Sequence, residues 1–219
     1  STAVVFEQPG KMALRPVQLP EPHSTDCVVE VHWTGISTGT ERLLWDGRMP
    51  PFPGLAYPLV PGYESVGCIA SSGPEAGLEV GQRVFVPGSR GFTDVQGLFG
   101  GAARSLVVPA ERLIPLPSEL DSTGVLLALA ATACHAIRRM EDLGAPELII
   151  GHGALGRLLA RACMARYQVA PTVWETSAER REGEHSYPVL DPAEDDQRDY
   201  QRICDVSGAS TIIDPVSYT

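Results

Sequence analysis

Glu147-Leu-Ile-Ile-Gly-His-Gly-Ala-Leu-Gly156 is an apolar run that becomes a glycine-rich turn, and residues 157–166 continue it with a helical pattern. The stretch predicts a strand, a tight turn and a helix. Gly151, Gly153 and Gly156 fit G-x-G-x-x-G. In that motif the first glycine allows the turn, the second lets backbone approach a pyrophosphate, and the third packs helix on strand. The motif therefore predicts a dinucleotide site at the helix N-terminus, where unpaired N–H groups face phosphates.

A second apolar stretch, Pro171–Glu175, ends in an acid 19 residues after Gly156. This is close to the spacing of roughly 20 residues expected of the group that binds the ribose hydroxyls. A carboxylate there repels a 2′-phosphate, so Glu175 favours NAD over NADP, although Arg180 and Arg181 could offer a phosphate clamp. His152 either touches phosphate or fills a tolerated position of the turn. The predicted cofactor-binding residues are Gly151, Gly153, Ala154, Leu155, Gly156 and Glu175.

Composition disfavours several classes of partner. The chain has 219 residues, 43% of them hydrophobic, which is enough to fill the core of one large or two small domains. A net charge of -10 argues against nucleic acid and anionic lipid. The five cysteines are scattered without C-x-x-C, so we expect reduced thiols and a cytoplasmic protein. We expect no leader and no membrane span, because no apolar run approaches about 20 residues.

The first half of the chain has short β-like runs separated by proline and glycine. The runs are Ala3–Phe6, Cys27–Trp33, Val66–Ala70, Arg83–Val86 and Ser105–Val108. They predict a β-rich domain over residues 1–120. The long Pro/Gly/aromatic segment 37–64 has little regular pattern, which is more typical of a functional connection than of a plain loop.

The pattern after residue 120 predicts an α/β domain over residues 121–219. Asp121 or Ser122 is expected to cap a helix over residues 124–140. The acidic run Asp191–Asp199 is interpreted as a solvated helix face. About four strands are predicted, fewer than the six of a complete Rossmann domain, so the second half of a doubly wound parallel sheet is largely missing. Thr211–Pro215 is a candidate for the beginning of that second half.

Pro61-Gly-Tyr-Glu-Ser-Val-Gly67, placed ahead of a Rossmann pattern, resembles the medium-chain dehydrogenase/reductase superfamily, where the usual form is G-H-E-x-x-G. Residues 35–41 and 45–64 are similar to the bacteriochlorophyllide a dehydrogenase family. The resemblance implies a β-rich GroES-like N-terminal domain followed by a Rossmann domain. It also implies oxidation of a 3-(1-hydroxyethyl) side chain to 3-acetyl on a bacteriochlorophyllide or chlorophyllide-type tetrapyrrole with NAD. A homodimer is a further expectation from the same resemblance.

The resemblance also shows where this chain departs from zinc-dependent relatives. The positions of their three catalytic zinc ligands hold Ser37, Tyr63 and Ala128 here, and none of these is a good ligand. Zinc-independent chemistry with no metal is therefore expected. A positioned side chain or a water relay must then take the hydroxyl proton, and the resemblance makes Ser37, Tyr63 and Glu64 the catalytic candidates. Alternatives stay open: Ser37 as a turn residue, Tyr63 as a space-filling ring, and Glu64 as a structural carboxylate.

Aromatic residues in the long segment suit the face of a flat tetrapyrrole. The predicted substrate-binding residues are Trp45, Phe52 and Tyr57, and ordinary core packing explains them equally well. Arg42 and Arg48 could pair with a substrate propionate. Two rival functions fit the same sequence: a zinc-free quinone or enone reductase of the superfamily, and a non-catalytic tetrapyrrole-binding protein.

Overall fold

The computed structural model describes residues 1–209 of the chain. Contacts between Cα atoms divide it into two compact units, Ser1–Ala128 and a second unit that begins at Leu129. The predicted domain boundary at residues 120 and 121 precedes a 3₁₀ turn at Ser122–Leu126.

The N-terminal unit is a β structure with one short helix. Its strands are β1 (Thr2–Gln8), β2 (Lys11–Pro16), β3 (Asp26–Thr34), β4 (Ser65–Ser72), β5 (Arg83–Val86), β6 (Ser105–Pro109) and β7 (Ile114–Pro115), and its helix is α1 (Thr40–Trp45). Strands β1 and β2 form an antiparallel hairpin, and the others form an antiparallel sheet in the order β6-β3-β4-β5-β7. Buried Val5, Val29, Ile69, Val84 and Leu106 belong to one apolar core. The predicted β-rich fold is confirmed.

Strand β2 was not predicted from the sequence, because its side chains do not alternate between buried and exposed. Met12 and Leu14 are 61% and 74% exposed. Backbone pairing with β1 holds the strand instead, with Met12 opposite Phe6 and Leu14 opposite Val4.

The predicted side-chain cap at Asp121 or Ser122 is wrong. Asp121 precedes the 3₁₀ turn, and no side-chain hydrogen bond from the described residues caps that turn. The Asp121 carboxylate accepts hydrogen bonds from Trp33 Nε1 at 3.0 Å and from Arg83 at 3.2 Å. These two donors hold the carboxylate away from the backbone N–H groups. The regular helix after this turn, α2, spans Leu127–Arg139.

The C-terminal unit contains a parallel sheet in the order β10-β9-β8-β11. Its strands are β8 (Leu148–Ile150), β9 (Thr172–Trp174), β10 (Val189–Leu190) and β11 (Ile203–Asp205), and its helices after α2 are α3 (Ala154–Tyr167) and α4 (Ala178–Arg181). Helix α3 buries residues at intervals of three and four positions, namely Gly156, Leu159, Ala160 and Cys163. The predicted strand, glycine turn and helix are confirmed, as is a parallel sheet of about four strands.

The interpretation of Asp191–Asp199 as a helix face is wrong, since this run, all of which the structure describes, has no helix. Asp195 is only 6% exposed and accepts hydrogen bonds of 2.6 Å from Trp174 Nε1 and from the Tyr200 hydroxyl. These bonds fix the run as an irregular connection between β10 and β11. Thr211–Pro215 lies outside the described residues. Among residues 1–209, no helix has the length and hydropathy needed to cross a membrane.

Candidate functional site

A hydroxyl–carboxyl cluster, made of Ser37, Thr40, Glu41, Tyr63 and Glu64, lies in the N-terminal unit. Ser37 precedes helix α1, Thr40 and Glu41 begin the helix, and the other two lie just before strand β4. The N–H of Gly35 donates to the Glu64 carbonyl at 2.8 Å and so joins the two segments. The structure therefore brings the three predicted catalytic residues into one region of the unit.

Hydroxyl groups link the cluster. The Ser37 Oγ accepts a hydrogen bond from the Thr40 N–H at 3.2 Å, which is the local turn bond that the sequence left open. The Thr40 hydroxyl lies 3.1 Å from the Tyr63 hydroxyl. Tyr63 also packs edge to face against Phe99, with ring centroids 5.2 Å apart. Ser37 and Tyr63 are half-buried, so each remains partly open to solvent.

Both carboxyl groups of the cluster are buried. Glu41 is 7% and Glu64 is 5% exposed. Burial raises the pKa of Glu64. Burial also raises the pKa of Glu41, and the Glu64 charge adds to this shift, although hydrogen bonds from its own N–H and from Ser37 act in the opposite direction. Glu64 packs closely against Gly35, since a Cβ there would lie 2.4 Å from Glu64 Oε2 and 3.0 Å from Glu64 Cβ.

Thr40 and Glu41 were missed as candidate residues in the sequence. Both belong to Ser37-Thr-Gly-Thr-Glu41, a string that was used only for its resemblance. A polar pair in the first turn of a short helix, directly after a candidate catalytic serine, was the available signal.

The predicted substrate-binding aromatics fall into two environments. Trp45 and Tyr57 pack against a small apolar cluster of Phe6, Leu44 and Leu59, and the Tyr57 hydroxyl donates to the Leu44 carbonyl. Phe52 is 38% exposed. Of the three aromatic residues, only Phe52 thus presents a substantially exposed ring. The two arginines proposed for the substrate propionate, Arg42 and Arg48, both pair with Asp46, at 3.8 and 2.5 Å.

The glycine turn of the C-terminal unit has the backbone that the motif requires. Gly151 has a φ of +103°, in the region that favours glycine. A Cβ at Gly156 would lie 1.9 Å from the Gly151 carbonyl oxygen, so only glycine allows α3 to approach the turn. A Cβ at Gly153 would meet no atom of the described residues within 4 Å, which leaves open space beside the backbone that begins α3. The turn therefore fits a dinucleotide pyrophosphate. Ala154 is exposed at the start of α3, while Leu155 packs against the core.

Glu175 follows strand β9 and faces the glycine turn. Its carboxylate accepts hydrogen bonds from the N–H groups of His152 at 3.0 Å and of Ser177 at 2.9 Å. Burial works to raise its pKa, but these N–H donors and the Arg180 charge outweigh burial and hold the pKa of Glu175 below its usual value. An ionised acceptor at this place fits the hydroxyl groups of a ribose.

His152 is a buried structural link of the turn. It is fully buried, with Nδ1 2.7 Å from the Arg180 carbonyl and Nε2 3.0 Å from the Tyr187 hydroxyl. Burial lowers the pKa of His152, which favours the neutral ring. A carbonyl can only accept, hence Nδ1 carries the proton and Nε2 accepts from Tyr187. The ring thus ties the glycine turn to the segment after Glu175.

The two arginines after β9 differ in their freedom. Arg181 donates to the carbonyls of Glu175 and Thr176 and pairs with Asp191 at 2.9 Å. Arg180 is 62% exposed and lies 3.8 Å from the Glu175 carboxylate. Arg181 therefore has a structural role, whereas Arg180 is free to approach a ligand.

The residues at the positions of the zinc ligands in zinc-dependent relatives do not fit zinc. Ser37 and Tyr63 offer hydroxyls, and Ala128 offers no ligand atom. Within residues 1–209, no three His, Cys, Asp or Glu side chains group closely enough to hold a metal ion.

Known proteins resemble this chain over most of its length. Residues 23–118 match the alcohol dehydrogenase GroES-like domain. The chain is 50% identical to 2-desacetyl-2-hydroxyethyl bacteriochlorophyllide A dehydrogenase of Cereibacter sphaeroides, a match that covers 98% of this chain and 69% of the relative. It belongs to the bacteriochlorophyllide a dehydrogenase family. The family's enzyme from Rhodobacter capsulatus is 48% identical over 96% of this chain and 67% of its own length. The chain thus spans about two thirds of the length of these bacteriochlorophyllide a dehydrogenases.

Solved structures of dehydrogenases share the fold of this chain. The 2R,3R-butanediol dehydrogenase of Bacillus subtilis superposes with a TM-score of 0.71 at 24% identity, covering 90% of this chain and 64% of that one. A zinc-binding dehydrogenase of Sinorhizobium meliloti bound to NADP gives 0.70 at 23% identity, covering 89% and 63%. A short chain alcohol dehydrogenase of E. coli with NADH gives 0.69 at 22% identity, covering 88% and 63%. A nicotinamide cofactor fits the family, and these neighbours include both forms.

Proposed function

We propose that this protein oxidises the 3-(1-hydroxyethyl) group of a bacteriochlorophyllide to a 3-acetyl group, with NAD as hydride acceptor and without zinc. The observation that carries the proposal is 50% identity, over nearly the whole chain, to a 2-desacetyl-2-hydroxyethyl bacteriochlorophyllide A dehydrogenase. The product carbonyl is conjugated with the macrocycle, which makes this oxidation easier than that of a simple alcohol. A cytoplasmic location is expected from the scattered cysteines, and a homodimer is expected by resemblance.

The dinucleotide is bound by the glycine turn, with Gly151, Gly153, Ala154, Leu155 and Gly156 around the pyrophosphate. When bound, the nicotinamide supplies a hydride acceptor. NAD is preferred because Glu175 is ionised and a 2′-phosphate would meet its negative charge. The open space beside Gly153 supports the placement of the pyrophosphate. The pairing of Arg181 with Asp191 supports the preference for NAD, because Arg181 is then not available to bind a 2′-phosphate.

Proton removal falls to the hydroxyl–carboxyl cluster. Ser37 and Tyr63 are half-buried hydroxyls that are already hydrogen-bonded to Thr40, so they are suited to contact the alcohol and pass on its proton. Glu64 is a buried carboxyl of the same cluster. Phe52 is the first choice for contact with the tetrapyrrole face, because Trp45 and Tyr57 are engaged in core packing.

The test is incubation of the protein with a 3-(1-hydroxyethyl) bacteriochlorophyllide and either NAD or NADP, followed by NADH absorbance and by the pigment spectrum. Formation of the acetyl pigment, faster with NAD, is the expected result. Faster turnover with NADP would overturn the assignment to Glu175. Pigment binding without reduction of either dinucleotide would contradict the enzyme and favour a tetrapyrrole-binding protein.

A further inference from the structure

The two carboxyl groups of the hydroxyl–carboxyl cluster are incompletely satisfied. Oε2 of Glu41 and Oε1 of Glu64 are buried and find no hydrogen-bond partner among residues 1–209. An ionised carboxylate carries about four lone-pair sites and is costly to bury without donors. Two full negative charges therefore do not suit this environment.

Each carboxyl is held close to the loop that carries Ser37. Glu64 Oε2 packs against Gly35, where even a Cβ would not fit. The Glu41 N–H donates to the Ser37 carbonyl at 3.2 Å, and the Glu64 charge helps to raise the pKa of Glu41. Two nearby carboxyls that cannot both ionise hold one proton between them and titrate as a pair.

We propose that Glu41 and Glu64 share one proton, and that this pair is the acceptor of the hydroxyl proton in the oxidation; the second clause rests on the proposed function. Glu41 is not among the three catalytic candidates that the resemblance gave. It acts through Ser37 as a positioning and proton-holding residue.

The chemical step balances within the cluster. A bound nicotinamide would accept the hydride with the C–H electron pair of the alcohol, whose O–H bond breaks as its C=O bond forms. Its proton passes to the Ser37 oxygen while the Ser37 proton passes to the ionised carboxylate of the pair. Ser37 can donate in this way because its oxygen already accepts the Thr40 N–H. The pair is then doubly protonated and returns to its starting state by releasing one proton to solvent.

The first test needs no substrate. Infrared spectra of the protein at neutral pH should contain the carbonyl band of a protonated carboxylic acid, shifted by deuterium exchange. The band should disappear in Glu41→Gln and equally in Glu64→Gln, because the remaining carboxyl loses its like-charged neighbour, gains an amide donor and ionises. Glu79→Gln, at an exposed position, is the matched control and should keep the band. Absence of the band from the unmodified protein, or its loss in only one of the two cluster variants, would overturn the shared proton.

The second test is kinetic and uses NAD with a 3-(1-hydroxyethyl) bacteriochlorophyllide. Glu41→Gln should lower kcat by roughly a hundredfold, as for a lost proton acceptor, and leave KM for pigment and NAD unchanged. Glu41→Asp should recover part of the rate, which a packing role would not predict because Gln matches Glu in shape. Unchanged kcat in Glu41→Gln would overturn the role in proton transfer.

The two tests separate the inference from the proposed function. A band that behaves as predicted in a protein without dehydrogenase activity leaves the shared proton standing and removes the function. Dehydrogenase activity in a protein without the band leaves the function standing and removes the pair.

Discussion

Glu64 and Glu175 are the same residue type at nearly the same burial, 5% and 7% exposed, yet their pKa values move in opposite directions. Glu175 receives two backbone N–H groups and lies beside an arginine. Glu64 keeps an oxygen without a partner within the described chain, and its charge acts on Glu41. Burial alone therefore does not set the charge of a carboxyl. The number of donors around it does.

The opposite pKa shifts of Glu64 and Glu175 suit two different functions. A carboxylate that is already ionised and fixed by N–H groups is suited to accept hydrogen bonds from a ribose. A carboxyl that shares a proton with its neighbour is suited to take up and release one. Substitutions around the two carboxyls should therefore differ in both the size and the sign of their effects.

The largest effect is expected from breaking the turn that faces Glu175. In Gly156→Ala the new Cβ would lie 1.9 Å from the Gly151 carbonyl oxygen, a backbone atom. We expect unfolding free energy to fall by about 3 kcal/mol and dinucleotide binding to be lost, as measured by urea unfolding and NADH fluorescence. Gly153→Ala is the matched control, since its Cβ meets no atom of the described residues within 4 Å. It should fold normally and still bind NADH weakly; normal binding would contradict the placement of the pyrophosphate.

Removing the Glu175 carboxylate should have the next largest effect. Glu175→Ala leaves the N–H groups of His152 and Ser177 without their acceptor, which should cost about 1–3 kcal/mol at neutral pH. The pKa of Glu175 is lowered from the usual 4.5, so its contribution is present above pH 4.5 and is lost as pH falls through the folded-state value. The difference between the two proteins in urea unfolding should therefore shrink in acid. A difference that is constant with pH would mean that the charge of Glu175 is not involved.

Substitution in the cluster should act in the opposite sense. The pKa of Glu64 is raised above 4.5, so the unmodified protein loses stability as pH rises through the folded-state value. Glu64→Gln avoids this loss and should be more stable by roughly 1 kcal/mol at pH 7 or above, with little difference below pH 4.5.

A double-mutant cycle sharpens this prediction. Glu41→Gln should give a similar gain, and the double variant should gain little more, because one substitution already relieves the repulsion between the two carboxyls. Gains that add fully would show that the carboxyls titrate independently.

The smallest effect is expected at Arg180, which is 62% exposed and 3.8 Å from Glu175. Arg180→Ala should change unfolding free energy by less than about 0.5 kcal/mol. Affinity for NAD should stay the same and affinity for NADP should fall further, because an exposed cation that could approach a 2′-phosphate is removed. A fall in NAD affinity instead would assign Arg180 to the binding of the ribose or pyrophosphate.

Local patterns predicted the parts of the fold that local chemistry decides. The spacing of Gly151, Gly153 and Gly156 predicted the strand, turn and helix. Gly151 has a positive φ, a Cβ at Gly156 would clash with the turn, and Gly153 leaves space beside the backbone. Glu175 was predicted as an acid at the end of β9, and the structure places it against the turn.

Long-range contacts decided what the sequence did not predict. Strand β2 exists through its pairing with β1, although Met12 and Leu14 stay exposed. Asp195 turns inward because Trp174 and Tyr200 donate to it. Glu41 joins the candidate site because its N–H donates to the Ser37 carbonyl and because the charge of Glu64, 23 positions later in the sequence, helps to raise its pKa.

The central claim is that a pair of carboxyls accepts the hydroxyl proton in an oxidation that does not need zinc. The most direct measurement is the rate of NAD-dependent oxidation of a 3-(1-hydroxyethyl) bacteriochlorophyllide after exhaustive chelation, with metal content determined on the same sample. We predict an unchanged kcat/KM in metal-free protein, and a large loss in metal-free Glu41→Gln. Loss of activity on chelation that zinc restores would contradict the claim.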